Sequence, residues 1–566
     1  MTEPTADVDE LVARATAWRD QDPDPETRAE VDALLAGTAA GDPDAIADLT
    51  DRFASRLAFG TAGLRGRIEA GPNRMNRVLV SQAAAGLAAY LLGRAEGATP
   101  SVVIGYDGRK NSEVFARDTA ELVAGAGARA VLLPRLLPTP VLAFAVRHLG
   151  ASAGVMVTAS HNPPLDNGYK VYLGDDDHGS QIVPPADGAI AAEIDRVAAT
   201  MRVHELPRAA FETADESVVE AYVAETAALL AGPPAAQPKV AYTAMHGVGW
   251  ETFAAVMDAA GFERPATVAE QLHPDAAFPT VSFPNPEEPG AMDLVFARAA
   301  ETGAELVIAN DPDADRLAIG IPDPEAEGGY RRLAGNEVGL LLGWRGAELS
   351  ARSRRPGEGT LACSIVSSPA LEAVADAYGL EFRATLTGFK WISRAPNLVF
   401  GFEEALGYLV NPGTVRDKDG ISAALAFLEL AASLQAEGRT VADRLDEFAA
   451  KFGAAASSQI SIRVTDLSRI GALMTRLRDE PPAELGGIRV ERIEDLADGS
   501  DELPPSDVLR IVLADGSRVM VRPSGTEPKL KVYIDALATD GDVAERRAAA
   551  NAAVAAIDAA MRELLV

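Results

Sequence analysis

The chain has 566 residues, more than one hydrophobic core can organise, and its length predicts about three to five domains. Apolar residues make up 48%, charged residues 24% and aromatic residues 5%, the composition of an ordinary globular protein. A formal net charge of −31 argues against nucleic acid or an anionic membrane as partner, while local basic clusters could still hold a small anionic substrate.

A lone cysteine, Cys363, excludes an internal disulfide and fits a reducing compartment; its apolar setting reads as a buried structural thiol. Residues 1–10 are acidic and lack the apolar core of a secretory signal. The most apolar stretch, 122–146, is broken by Arg129, Pro134, Arg135, Pro138 and Pro140, too often to span a bilayer. The expectation is a cytoplasmic protein.

Residues 8–56 read as helical, with turns at Pro23–Pro25 and Gly41–Pro43. Phe59-Gly60-Thr61-Ala62-Gly63-Leu64-Arg65-Gly66 follows, a backbone able to approach a ligand closely with Arg65 available for an anion. A strand at 101–106, a helix at 112–125, a strand at 129–134 and a helix near 138–149 come next. A third strand, 153–157, runs into Thr158-Ala159-Ser160-His161-Asn162-Pro163-Pro164. The two prolines rule out an immediate helix, so Ser160 sits on a stiff loop at a strand's C-terminal end, where open α/β sheets place ligands. A further strand carries Lys170.

This order recurs. Strand 238–243, helix 250–260, strand 266–269, helix 291–302 and strand 305–310 lead to Asp311-Pro312-Asp313-Ala314-Asp315-Arg316. Strand 361–366, helix 368–378, strand 381–384 and strand 398–402 lead to Glu403-Glu404-Ala405-Leu406-Gly407-Tyr408; a second helix in this third copy is not evident. The last stretch differs. Strands at 459–464, 508–513 and 517–521 with helices at 467–478 and 542–565 predict a smaller α+β domain, whose loop is Arg522-Pro523-Ser524-Gly525-Thr526-Glu527-Pro528-Lys529.

Each loop suggests a chemistry. Asp311, Asp313 and Asp315 are crowded carboxylates that repel unless a cation or protons offset them, and oxygen ligands suit Mg²⁺, Mn²⁺ or Ca²⁺. An EF-hand fits poorly, because its sixth position would be Arg316 and its twelfth Pro322. Arg522, Ser524 and Thr526 around Gly525 form a possible phosphate cradle. Glu403 and Glu404 suit sugar hydroxyls. Lys170, Lys390, Arg65 and Arg109 are, one by one, ordinary surface cations in the plainer reading. Ser160 adds a hydroxyl nucleophile. The set points to phosphoryl transfer to or from a polyol, a chemistry of positioning and charge neutralisation.

These loops, in this order, resemble the α-D-phosphohexomutase superfamily of phosphoglucomutases and phosphomannomutases. The match rests on T-A-S-H-N-P-P at 158–164, D-P-D-A-D-R at 311–316, G-F-E-E-A-L-G-Y at 401–408, R-P-S-G-T-E-P-K at 522–529 and F-G-T-A-G-L-R-G at 59–66. The resemblance implies three topologically similar α/β domains with mixed sheets and a smaller C-terminal α+β domain around a central cleft. On that basis 1–210 is the phosphoserine domain with an N-terminal helical extension, 211–335 the metal-binding domain, 336–455 the sugar-binding domain and 456–566 the phosphate-binding domain. It implies a phosphorylated Ser160, with Ser160, Asp311, Asp313 and Asp315 holding Mg²⁺. His161, Lys170 and Arg65 would act at the transferring group. Arg316, Lys390, Glu403, Glu404, Arg522, Ser524, Gly525 and Thr526 would bind substrate.

The implied activity is interconversion of hexose 1-phosphate and hexose 6-phosphate, with a sugar 1,6-bisphosphate as intermediate and activator. The implied partner is a phosphosugar, with neither nucleic acid nor membrane; the sequence assigns no oligomeric state. Where many members carry serine and histidine, the sugar loop carries Ala405 and Tyr408. This form resembles a branch holding bacterial phosphoglucomutases, phosphopentomutase-like enzymes and glucose-1,6-bisphosphate synthase. Glucose is the expected sugar and mannose a second, with phosphopentomutase or bisphosphate synthase as alternatives. An aspartyl phosphatase fits less well, since its carboxylate pair ends the first strand of its domain and the Ser160 and Arg522 loops would be idle.

Overall fold

The computed structural model describes residues 8–61, 63–353, 358–464, 468–501, 503–523 and 529–565. The chain divides into two compact units, one running to Arg332 and including Asn411–Glu429, the other comprising Leu333–Val410 and the chain from Leu430 onward.

The first unit opens with three helices, α1 (Val8–Arg19), α2 (Pro25–Ala39) and α3 (Pro43–Phe53). Asp24 and Asp42 cap α2 and α3 by accepting from Glu26 and Asp44 N–H, each with proline at the first helical position. Leu11, Trp18, Val31 and Phe53 bury their shared face. The first α/β layer follows: β1 (Leu64–Arg67), α4 (Arg77–Arg94), β2 (Ser101–Tyr106), α5 (Ser112–Gly125), β3 (Arg129–Leu132), α6 (Thr139–His148), β4 (Ala153–Val157), β5 (Asp166–Leu173), β6 (Ser180–Gln181), α7 (Ala186–Thr200) and β7 (Glu212–Thr213). Its sheet runs β1-β5-β4-β2-β3-β7, with β6 against β5. The second layer holds α8 (Ser217–Ala227), β8 (Val240–Thr243), α9 (Gly249–Ala260), β9 (Ala266–Thr267), α10 (Asp293–Thr302), β10 (Leu306–Asn310), β11 (Leu317–Pro322) and β12 (Tyr330–Arg332), in sheet order β12-β11-β10-β8-β9.

In the second unit, α11 (Gly335–Ser353), β13 (Thr360–Ser364), α12 (Ala370–Tyr378), β14 (Glu381–Thr385), α13 (Phe389–Ile392), β15 (Leu398–Glu403) and β16 (Gly407–Leu409) form a sheet ordered β14-β13-β15-β16. Helix α14 (Gly420–Ala436) begins in the Asn411–Glu429 segment of the first unit and leads to α15 (Val441–Phe452). The last layer comprises β17 (Ala454–Arg463), α16 (Ser468–Asp479), β18 (Glu484–Leu485), β19 (Ile488–Asp495), β20 (Leu509–Leu513), β21 (Arg518–Pro523), β22 (Lys529–Ala538) and α17 (Val543–Leu564). Its six strands are antiparallel, in order β17-β22-β21-β20-β19-β18.

The predicted repeat is present and has a further member. In each α/β copy the first strand lies between the second and third in parallel, and a fourth returns antiparallel beside the third. The second helix of the third copy is the single turn α13. The three polar loops are therefore one loop in three copies: the connection from the third parallel strand to its antiparallel neighbour. Fully buried strands such as β4 and β10 end there, at the carboxyl edge where α/β sheets bind ligands. Among the described residues no helix is long and apolar enough to cross a membrane.

Candidate active site

Ser160 is 2% exposed and takes a left-handed backbone, φ 52°, a conformation that costs a non-glycine residue about 1–2 kcal/mol. Its neighbours hold it there. The Ser160 N–H donates to Thr158 Oγ1 at 2.8 Å, and its carbonyl accepts from Arg109 Nη2 at 2.5 Å. Arg109 also donates to the carbonyls of Asn162, Pro163 and Asp166. Its Nε lies 3.5 Å from Asp107, which accepts from Ser112 Oγ at 2.6 Å. Arg109 is thus no surface cation: it is 4% exposed and binds the serine loop from behind. Gly63 turns with φ 76°, and a Cβ there would run into the Tyr169 carbonyl; the turn lets β1 pair with β5. That pairing places Arg65, whose Nη1 donates to Asn162 Oδ1 at 3.1 Å.

The aspartate triplet meets this loop. Ser160 Oγ donates to Asp311 Oδ2 at 2.7 Å, and His161 Nδ1 lies 3.2 Å from the same hydroxyl. Asp311, Asp313 and Asp315 are all fully buried, with ligand oxygens within 4.8 Å of one another. Asp313 Oδ2 accepts from Thr139 Oγ1 at 2.6 Å and Lys170 Nζ at 2.8 Å; Asp315 Oδ2 accepts from Lys170 Nζ at 2.7 Å. Thr139 opens α6, so Asp313 also faces the positive end of a helix.

The three carboxyls differ in proton affinity. Burial, then the charges of Asp313 and Asp315, lift Asp311 well above the usual carboxylate range. Burial pushes Asp313 and Asp315 the same way, but the Lys170 ammonium outweighs it and both lie below that range. Lys170 resists its own burial because the two aspartates hold it protonated, above the ordinary lysine value. His161 is pushed well below the imidazole range by burial, then by Arg316 and Arg65, and is neutral.

A hard cation fits this triplet. Asp313 Oδ1 and Asp315 Oδ1 are buried without a hydrogen-bond partner, while the lysine uses the other oxygen of each. Two orphaned carboxylate oxygens in an all-oxygen set are what Mg²⁺ requires, with positions left for other oxygens.

Three residues around the site, Asp417, Lys418 and Asp419, escaped the sequence. Lys418 is 8% exposed, with Nζ 3.3 Å from Asp315 Oδ2 and 3.6 Å from Asp417 Oδ1. Asp417, fully buried, accepts from Tyr172 Oη and Gln181 Nε2, both at 2.7 Å. Asp419 accepts from Tyr222 Oη at 2.9 Å and caps α14 through the N–H groups of Ile421 and Ser422. The only available signal was the alternation Arg416-Asp417-Lys418-Asp419 before Gly420. Arg316 donates its N–H to Asp311 Oδ1, with Nε 3.8 Å from Asp315.

The other sequence-predicted residues lie in the second unit. Glu403 Oε1 accepts the Gly388 N–H at 2.6 Å, and Arg522 Nη1 donates to Thr387 Oγ1 at 2.7 Å. Adjacent residues of the 386–388 turn thus tie a carboxylate to a guanidinium, and Lys390 packs over Gly388. Glu404 is held by Ser367 Oγ at 2.9 Å and Ser364 Oγ at 3.3 Å. Tyr408 is fully buried and donates to the Gly335 carbonyl at 3.2 Å, so it belongs to the core beneath the 403–408 loop. Arg522 and Pro523 end β21 and Lys529 begins β22; Ser524, Gly525 and Thr526 lie outside the described residues.

A hydroxyl set against buried carboxylates at the edge of a repeated α/β sheet defines a phosphoryl-transfer enzyme. Four family models, phosphoglucomutase/phosphomannomutase α/β/α domains I, II and III and its C-terminal domain, match residues 56–201, 220–324, 334–452 and 461–554. A probable phosphomannomutase of Haemophilus influenzae is 56% identical over 83% of this chain and 95% of its own. The Mus musculus phosphopentomutase is 34% identical over 95% and 91%, and a Staphylococcus epidermidis phosphoglucomutase 35% identical over 84% and 90%. The crystal structure of a phosphoglucomutase/phosphomannomutase family protein from Burkholderia thailandensis superposes with a TM-score of 0.68 at 21% identity, covering 90% of this chain and 97% of that one. The chain belongs to the phosphoglucomutase/phosphomannomutase family and is an isomerase of that type.

Proposed function

We propose that the protein interconverts hexose 1-phosphate and hexose 6-phosphate, with glucose phosphate as main substrate and mannose phosphate as second. The observation that carries this reading is the Ser160 hydroxyl 2.7 Å from Asp311 within a cluster of buried cations. Ser160, carrying a phosphoryl group, gives it to the free hydroxyl of the hexose monophosphate, whose proton is released. The 1,6-bisphosphate turns around, its other phosphoryl returns to Ser160 Oγ, and the isomeric monophosphate leaves. Added sugar 1,6-bisphosphate activates by loading Ser160.

Asp311, Asp313, Asp315 and an oxygen at Ser160 would hold Mg²⁺, which polarises the phosphoryl group and offsets charge on the serine oxygen. Lys170, protonated between two aspartates, serves as an acid and as a cation. Arg65 and Arg316 neutralise the transferring group, and neutral His161 faces the serine hydroxyl. Glu403 and Glu404 take sugar hydroxyls with Lys390. Arg522, Ser524, Gly525 and Thr526 take the non-reacting phosphate. These roles follow the proposed division into phosphoserine (1–210), metal (211–335), sugar (336–455) and phosphate (456–566) domains.

The 34% identity to the mouse phosphopentomutase across nearly the whole chain favours pentose phosphate as the second reading. Turnover of glucose 1-phosphate, mannose 1-phosphate and ribose 1-phosphate by the purified protein separates the two, with intact-protein mass reporting phosphate on Ser160. Turnover confined to the pentose ester would replace the hexose reading.

A further inference from the structure

The N-terminal helices and the first α/β layer line a cavity of about 260 Å³. Residues 8–53 lie outside the stretches matched by the family models, so one wall of this cavity is particular to the N-terminal extension. Arg14 and Trp18 of α1, Gln21, Arg56, and Leu79 and Gln82 of α4 line it.

The lining carries two arginines and no acidic side chain, in a chain of net charge −31. Its polar groups are only partly paired. Gln82 is 5% exposed, yet its amide has no hydrogen bond among the described residues. Its amide is therefore open to the cavity and available to a ligand. Arg56 Nη2 is buried and unpaired, and the guanidinium reaches an ion pair only at 3.7 Å, with the exposed Asp195. Burial lowers its proton affinity, as expected of a cation short of a counter-charge. Gln21 accepts the Val203 N–H at 3.2 Å through Oε1, which leaves its NH₂ available. Trp18, edge-on to Phe53 with ring centroids 5.9 Å apart, forms an apolar wall with Leu79.

We propose that this cavity binds a small organic anion, a phosphate or carboxylate on a short carbon body. Arg56 and Arg14 neutralise the anion, Gln82 and Gln21 donate to it, and the carbon body lies against Trp18 and Leu79. The volume is below that of drug-sized sites, roughly 300–1,000 Å³, and suits a small metabolite. Such a ligand fastens the helical extension to α4. Because it binds only the folded chain, it raises thermal stability.

Glycerol 3-phosphate and citrate are the two probes, one bearing only phosphate and the other only carboxylates. Each is titrated into full-length protein while melting temperature and the Trp indole ¹⁵N–¹H resonances are followed, with Trp18 assigned by W18F. At least one probe is expected to move the Trp18 resonance and raise the melting temperature; the probe that does so identifies the anionic group. Arg56→Gln and Gln82→Leu should each weaken that binding about tenfold or more without changing basal turnover. If Arg56→Gln does not fold, Gln82→Leu carries the comparison. A Trp18 resonance that neither probe moves at millimolar concentration, or a shift that survives unchanged in the folded variants, overturns the proposal.

Discussion

Ser160 Oγ and Asp311 Oδ2 are 2.7 Å apart across 151 residues of sequence. The contact exists because both residues occupy the same loop of successive repeats, beyond the third parallel strand. Substituting Ser160 by alanine should lower mutase turnover by about 10⁴-fold or more, as loss of a nucleophile does. Circular dichroism should be unchanged, since the side chain lies on a loop. Isomerisation at a tenth of the normal rate would refute the serine as the phosphoryl carrier.

Asp311 sets a proton against a metal. Its raised proton affinity means that the metal-free chain keeps a proton there to higher pH than a free carboxylate does, whereas a cation needs the ionised carboxylate. Mg²⁺ binding should therefore release a proton, and its affinity should rise with pH up to the elevated Asp311 value. Calorimetry in two buffers of different ionisation heat measures this. In Asp311→Asn the proton release should vanish, and in Asp313→Asn the Mg²⁺ requirement should rise about 10–100-fold or more.

The same shifts shape acid stability, with opposite signs. His161 has a depressed value in the folded chain, so its contribution is present above the ordinary 6.5 and is lost as pH falls through the folded value. Asp311 has a raised value, so its contribution is full below the ordinary 3.8 and is lost as pH rises through the folded value. Denaturant melts of His161→Gln should show a shallower loss of stability on acidification below 6.5 than the parent chain; an identical pH profile would contradict the neutral, half-buried imidazole.

Arg109 acts through Ser160. Removing its guanidinium leaves Asp107 buried without its cation and frees four carbonyls of the loop. Arg109→Ala should cost about 3–5 kcal/mol of stability and lower kcat more than it changes KM. Arg109→Lys restores charge but not the planar fork, so it should recover stability in part and turnover less. Urea melts and steady-state kinetics on the same preparations test both.

Tyr408 and Glu403 share a loop and should behave differently. Tyr408→Phe removes the buried hydrogen bond to the Gly335 carbonyl, a loss of about 0.5–1.5 kcal/mol for such a bond, and should leave the ratio of kcat/KM for glucose and mannose phosphates unchanged. Glu403→Gln should change that ratio. A shift in sugar preference on Tyr408→Phe would return the tyrosine to the sugar site.

What the sequence disclosed follows from burial. β4 and β10 are buried along their whole length and read as continuous apolar runs, so the repeat and its three loops could be located. The antiparallel strand β19 has no buried position, and β22, though buried over residues 532–536, carries Lys529, Lys531 and Asp535, so neither presents a continuous apolar run. The long helices α4 and α14 spread their apolar content without the narrow stripe that marks an amphipathic helix in sequence. Arg109 and Lys418 look like any exposed cation; only the packing of distant carbonyls and carboxylates shows that they are buried. Side-chain composition marks a site's nucleophile and ligands, whereas the groups that hold them come from parts of the chain brought in by the fold.

The chain leaves the first unit at Arg332, builds strands of the second, and comes back at Asn411 to place Asp417, Lys418 and Asp419. Neither unit is one continuous stretch of polypeptide. A fragment ending at 332 would carry the serine and all three aspartates yet strand Tyr172, Gln181 and Tyr222 without their acceptors. Splicing between related enzymes is therefore constrained: a crossover that swaps the 403–408 loop alone must stop before Asn411, or the incoming segment rewrites the lysine beside the aspartates as well.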